Sequence, residues 1–289
     1  MTSVPLRSPA RVSFDTPLRG VAPSLDCSLE AQNTLSDALE IKRFISEFST
    51  LPKLRSCGTV YLKQHHKWNR CDHALCSSCS RQRAHGRAAI LHSLSDDHAE
   101  IMTLTLSLAS TPTTPLVDLW DALDALRSRW VGSHWLRSQI DGWRWSMELT
   151  HAYNGWHPHL AFVLFSRKTL SPADYDRLQT DSATRWATMA SKLGHHAEAD
   201  VQILAKVTRT SGRAVRYATK GMIASPKHST TPGTIVRRAA RGDADAADLW
   251  GEIESASVGR RFQGTGGSLR KARSSPPGPL VRAHSVNGV

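Results

Sequence analysis

Residues 142–165, GWRWSMELTHAYNGWHPHLAFVLF, decide the fold. Trp143, Trp145, Met147 and Leu149 alternate with Arg144, Ser146, Glu148 and Thr150, the period of two that a half-buried strand requires. Asn154 and Gly155 supply turn chemistry, and WHPHLAFVLF (156–165) returns as a second strand. The spacing therefore predicts a hairpin. His157 and His159, two apart, share a strand face, and Glu148 projects from the polar face of the preceding strand. A carboxylate and imidazoles converging beside a turn form a donor set for a divalent metal. The same histidines also read as ordinary surface or core residues of a strand.

Working outward, IMTLTLSL (101–108) alternates apolar residues with threonine and predicts another half-buried strand. Thr114 and Pro115 read as a cap and a first helical position. Leu116, Leu119, Trp120, Leu123, Leu126 and Trp130 then continue at spacings of three and four, which predicts an amphipathic helix. Ser171 and Pro172 open a helix to about Leu193, DVQILAKV (200–207) reads as a strand, and GRAVRYATKGM (212–222) as a basic helix. Upstream, Leu35, Leu39, Ile45 and Phe48 mark the packing face of a helix over 34–49. This order implies an α+β fold, an antiparallel sheet with flanking helices. Residues 1–33 lack periodicity, a short helical region follows Pro232, and a flexible stretch is expected from Gly264.

Cys57, Cys71, Cys76 and Cys79 are separated by 13, four and two residues. Four thiols ending in a C-x2-C knuckle match a structural, tetrahedral Zn²⁺ site, with His73 as a substitute ligand. Disulfides, disfavoured in a cytosolic chain, and free thiols are the rival readings. Cys27 stands alone.

The 289 residues carry 37 Lys+Arg against 25 Asp+Glu, a net of +12. Residues 51–90 hold +7 and residues 260–289 hold +6, which leaves the remainder near neutral. Two basic blocks on a neutral body point to nucleic acid, although the C-terminal block also reads as a solvated tail. Arg81, Arg83 and Arg87 in the first block, and Arg213 and Arg216 on the basic helix, are the candidate DNA contacts. No apolar run reaches the length of a membrane span, and the N-terminus has no signal-peptide core, so a soluble, cytoplasmic protein is expected. Tyr217 and Lys220, at i and i+3 on one helix face, pair a nucleophile with a cation.

Three stretches, MTLTLSL (102–108), MELTHAYNGWHPHLAFVLF (147–165) and AVRYATKG (214–221), resemble in order the three motifs of rolling-circle plasmid replication initiators of the HUH endonuclease superfamily. The cysteine cluster, GDADAADLW (242–250) and GRRFQGTGGSLRK (259–271) resemble actinobacterial-type members. The resemblance implies an RRM-like nuclease core over 96–225. Around it would lie a partly disordered N-terminal extension with one helix (1–50), a zinc-binding basic segment (51–95), a C-terminal helical region (226–263) and a flexible basic tail (264–289). It implies that Tyr217 nicks one strand at the plasmid origin through a 5′-phosphotyrosine link. Lys220 would position the phosphate, and Glu148 and His159 would hold Mg²⁺ or Mn²⁺. Host helicase and replication machinery follow as partners, with no membrane. Two positions depart from the pattern. The second paired histidine is Ala161, for which His157 or water would substitute, and a glutamate one turn before the tyrosine is Arg213. These departures keep a catalytically impaired origin-binding protein as an alternative, beside a related transposition or conjugation nickase.

Overall fold

The computed structural model describes residues 27–76, 79–80, 98–207 and 230–269. The alternating stretch forms the hairpin β4 (Gly142–Ala152) and β5 (Gly155–Ser166), paired in register from Gly142↔Phe165 to Ala152↔Gly155. Only Tyr153 and Asn154 lie between the strands. Gly155 sits at φ +95°, and a Cβ there would lie 2.7 Å from the Thr111 carbonyl oxygen. Both the left-handed backbone and the close approach require glycine.

The hairpin is the centre of a five-stranded sheet. β3 (Glu100–Ser107) pairs with β5, β6 (Ile203–Lys206) with β3, and β7 (Gln263–Gly267) with β4. The order is β6-β3-β5-β4-β7, and every neighbour is antiparallel. A two-stranded ribbon, β1 (Tyr61–Leu62) and β2 (Lys67–Trp68), stands apart from it.

Among the described residues the α-helices are α1 (Cys27–Phe48), α2 (Pro52–Arg55), α3 (Leu116–Gly132), α4 (His134–Gln139), α5 (Pro172–Ser191), α6 (Pro232–Ala240) and α7 (Ala244–Ser257). The sheet face bearing Met102, Leu104, Trp143, Trp145, Leu160 and Phe162 shares one buried cluster with α3, with Trp186 of α5 and with Trp250 of α7. All six apolar positions expected to line α3 are at most 2% exposed. On the opposite face, Ile101, Val163, Phe165 and Leu269 form a small second cluster. The predicted α+β, antiparallel architecture with flanking helices is the one observed. No helix among the described residues is long and apolar enough to cross a membrane.

Four local expectations change. Thr114 does not cap α3: its hydroxyl accepts from Thr111 N (3.1 Å), Pro115 is the cap residue, and Glu252 Oε1 of α7 accepts from Leu116 N (2.8 Å). By contrast, Ser171 caps α5 as expected, accepting from Asp174 N. On α1, Ile41 and Ile45 are buried, but Leu39 and Phe48 are exposed. The buried stripe is the one facing α6, whose Arg237 pairs with Asp37 at 3.0 Å. The helical region expected to be short after Pro232 extends over two helices, the second capped by Asp243 accepting from Ala246 N (3.0 Å).

The fourth change concerns the expected tail at 264–289, whose first residues belong to the sheet. Gly264 pairs with Trp145 and Gly266 with Trp143. A Cβ on Gly264 would lie 2.6 Å from the Trp145 indole nitrogen, and one on Gly266 would overlap the Trp143 ring. The glycines are there because the two indoles occupy the space where side chains would stand. The cysteine segment likewise has no core of its own: Leu54, Leu75, Cys76 and Cys79 join the same buried cluster as the sheet.

Candidate metal sites

The four cysteines converge. Their sulfurs all lie within 4.8 Å of one another, with Cys57–Cys79 at 3.5 Å and both Cys71–Cys79 and Cys57–Cys76 at 3.7 Å. A tetrahedron with Zn–S bonds of about 2.3 Å has edges of about 3.8 Å, so the donor set fits that ion. A disulfide requires about 2.05 Å, and the four cysteines are free. α2 and the ribbon base bring Cys57 and Cys71 together, while Cys76 and Cys79 are buried against the core. Backbone donors already face the sulfurs: Cys71 N to Cys57 Sγ and His73 N to Cys71 Sγ, each 3.4 Å. A hydrogen bond from the Cys71 thiol holds Cys76 down to about 5, and Cys71 is pushed up by the same bond. Burial raises Cys57. His73 is not a member of the cluster: its Nδ1 accepts from Leu75 N at 3.3 Å, and its ring packs edge-on against Phe262.

The second candidate lies on the polar face of the hairpin. Register places Ser107, His159 and Glu148 in one row across β3, β5 and β4. Glu148 Oε2 and His159 Nε2 are 3.0 Å apart, and both side chains are about one-fifth exposed. Glu148 Oε1 is buried with no hydrogen-bond partner among the described residues. The 3.0 Å separation is that of a hydrogen bond between imidazole and carboxylate; two ligands at about 2.1 Å in adjacent octahedral positions would stand equally far apart.

His157 does not join them. Its Nε2 lies 2.6 Å from Asn154 Oδ1 and its Nδ1 3.4 Å from Ser110 Oγ. The turn residue Asn154 and the loop residue Ser110 face its two ring nitrogens, and burial lowers its pKa. The hairpin's next position on that face, Ala161, is 4% exposed and pairs with Ser146 and Thr105. Trp156, beside the histidines, is a core residue at 3% exposure, its indole N–H donating to Glu252 Oε2 at 2.7 Å. Nothing in the sequence around Glu252 signalled this role, because its partners lie more than 90 residues away.

Tyr217, Lys220, Arg213 and Arg216, and likewise Arg81, Arg83 and Arg87, lie outside the described residues. Fold and sites define an α+β protein on an antiparallel sheet with a four-cysteine cluster able to hold a structural metal such as zinc. No protein family, no curated protein and no solved structure matches the chain.

Proposed function

We propose that this chain initiates rolling-circle replication of a plasmid, as a metal-dependent endonuclease and strand transferase acting on one strand of origin DNA in the cytoplasm, alongside host helicase. The observation that carries the reading is the Glu148–His159 pair, set 3.0 Å apart with a second carboxylate oxygen buried and without a hydrogen-bond partner among the described residues. It lies within the stretch that resembles the second of the three replication-initiator motifs. Mg²⁺ or Mn²⁺ held by these two residues would polarise a phosphoryl oxygen. The Tyr217 oxygen would form the new P–O bond as the bond to the 3′ oxygen breaks. The phenol gives up its proton, the leaving oxygen takes one, and Lys220 offsets the phosphate charge. The reverse transfer rejoins the strand.

A second reading, an origin-binding protein with impaired chemistry, is favoured by Ala161 and by the engagement of both His157 nitrogens. Incubation with single-stranded origin oligonucleotides, with Mn²⁺ or with EDTA, separates the two on denaturing gels. The nickase reading expects a covalent protein–DNA adduct that requires metal and disappears in Tyr217→Phe. Binding without an adduct selects the second reading, and an adduct that persists in Tyr217→Phe removes Tyr217 as nucleophile.

A further inference from the structure

The ribbon β1–β2 is built unlike the rest of the molecule. Residues 59–68 are all exposed, yet they include four of the eleven large exposed hydrophobic side chains among the described residues. Tyr61 and Trp68 are direct cross-strand partners and so share a face. Their rings meet edge to face at 5.4 Å while remaining 45% and 54% exposed. The exposure does not come from loose anchoring. Gly58 N donates to Asn69 O (3.0 Å) and Asn69 N to Val60 O (2.7 Å). The Asn69 side chain donates to Ser56 O at 2.7 Å, and Cys57 and Cys71 tie both ends to the sulfur cluster. The charge is one-signed: residues 51–71 hold five Lys/Arg and no Asp or Glu.

Rigid aromatic faces held in water among cations match one ligand chemistry, an unpaired base joined to a phosphate backbone. We propose that the ribbon is a stacking platform for single-stranded DNA, with Tyr61 and Trp68 receiving bases and Lys63, Lys67 and Arg70 receiving phosphates. A duplex keeps its bases stacked on one another and offers these rings nothing comparable. The ribbon's own geometry defines the surface; the choice of DNA rests on the proposed strand transfer.

The test is fluorescence anisotropy with the zinc-loaded full chain carrying Tyr217→Phe, without Mg²⁺ or Mn²⁺. The probes are a labelled single strand of about 20 nucleotides, longer than one stacking site, and its duplex. Trp68→Ala is expected to weaken single-strand binding about 5- to 150-fold, the range of one lost base stack. Trp68→Phe should keep most of the affinity, and duplex binding should hold constant. Lys63→Ala with Lys67→Ala should reduce the single-strand salt slope by about 1.4. Tyr61→Ala serves as an independent variant, and retained zinc shows each variant folded. Unchanged single-strand affinity in both Trp68→Ala and Tyr61→Ala overturns the proposal, as does an equal loss on duplex. A dependence on Trp68 that appears only with an acidic protein partner would also overturn it. The adduct assay is read separately, so loss of the nickase reading and loss of the ribbon surface are distinguishable.

Discussion

Oε1 of Glu148 is a buried acceptor with no donor among the described residues, and leaving such a group unmet costs about 1–3 kcal/mol. A cation at Glu148 and His159 would satisfy it. Glu148→Gln keeps the shape and removes the charge. Without metal the variant should melt no lower than the parent chain, whereas Mn²⁺-dependent adduct should fall about 100-fold or more, read by thermal denaturation and gel. Lower metal-free stability with unchanged adduct would make Glu148 a purely structural partner of His159. Residue-scale chemistry here was legible in part. Alternation put Glu148 and His159 on one face, but it could not reveal that Asn154 and Ser110 take both nitrogens of His157. A turn residue and a loop serine reach that ring only after the chain has folded.

At the scale of elements, the glycine-rich edge strand carries a sharp expectation. Gly266→Ala forces a methyl group into the Trp143 indole, a rigid neighbour, so urea denaturation should show a loss of about 1–3 kcal/mol. The same substitution at Gly259, whose site is open, meets no neighbour, although its φ of +72° carries its own backbone strain. Composition alone made this stretch look like linker, because glycine has high chain entropy. The strand exists because β4 presents two tryptophans that only a strand with glycine at the two facing positions can cover. The cysteine knuckle behaves oppositely, since its spacing already announced a tetrahedral site. Purified protein should contain one zinc per chain by elemental analysis, and Cys76→Ser should lose it. Cys76 is 7% exposed within the main core, so that variant should also melt at lower temperature.

Across the whole molecule, α7 ties distant parts together. Glu252 accepts from Leu116 N at the start of α3 and from the Trp156 indole on the site hairpin. Glu254, 1% exposed, accepts from Thr50 N and Thr50 Oγ1 and from Trp250 Nε1, at 2.8–2.9 Å. Glu252→Ala strands a helix-terminal N–H and an indole N–H, for about 2–6 kcal/mol from two orphaned donors. Chemical denaturation should register that loss, and hydrogen exchange should rise at both the α3 start and the β4–β5 turn. A change confined to α7 would mean that the two contacts are incidental.

The amino-acid sequence by itself determined the hairpin, the amphipathic α3, the antiparallel α+β class and the convergence of four thiols. Those features are written in periods of two and of three to four residues and in short ligand spacings, which local geometry obeys. Only the tertiary structure decided that Gly264 and Gly266 form an edge strand, that Leu39 and Phe48 stay in solvent, and that Glu252 accepts from the first N–H of α3 and from the Trp156 indole. Each of those outcomes depends on a partner far away in sequence, and a partner's position is fixed by packing rather than by neighbouring residues.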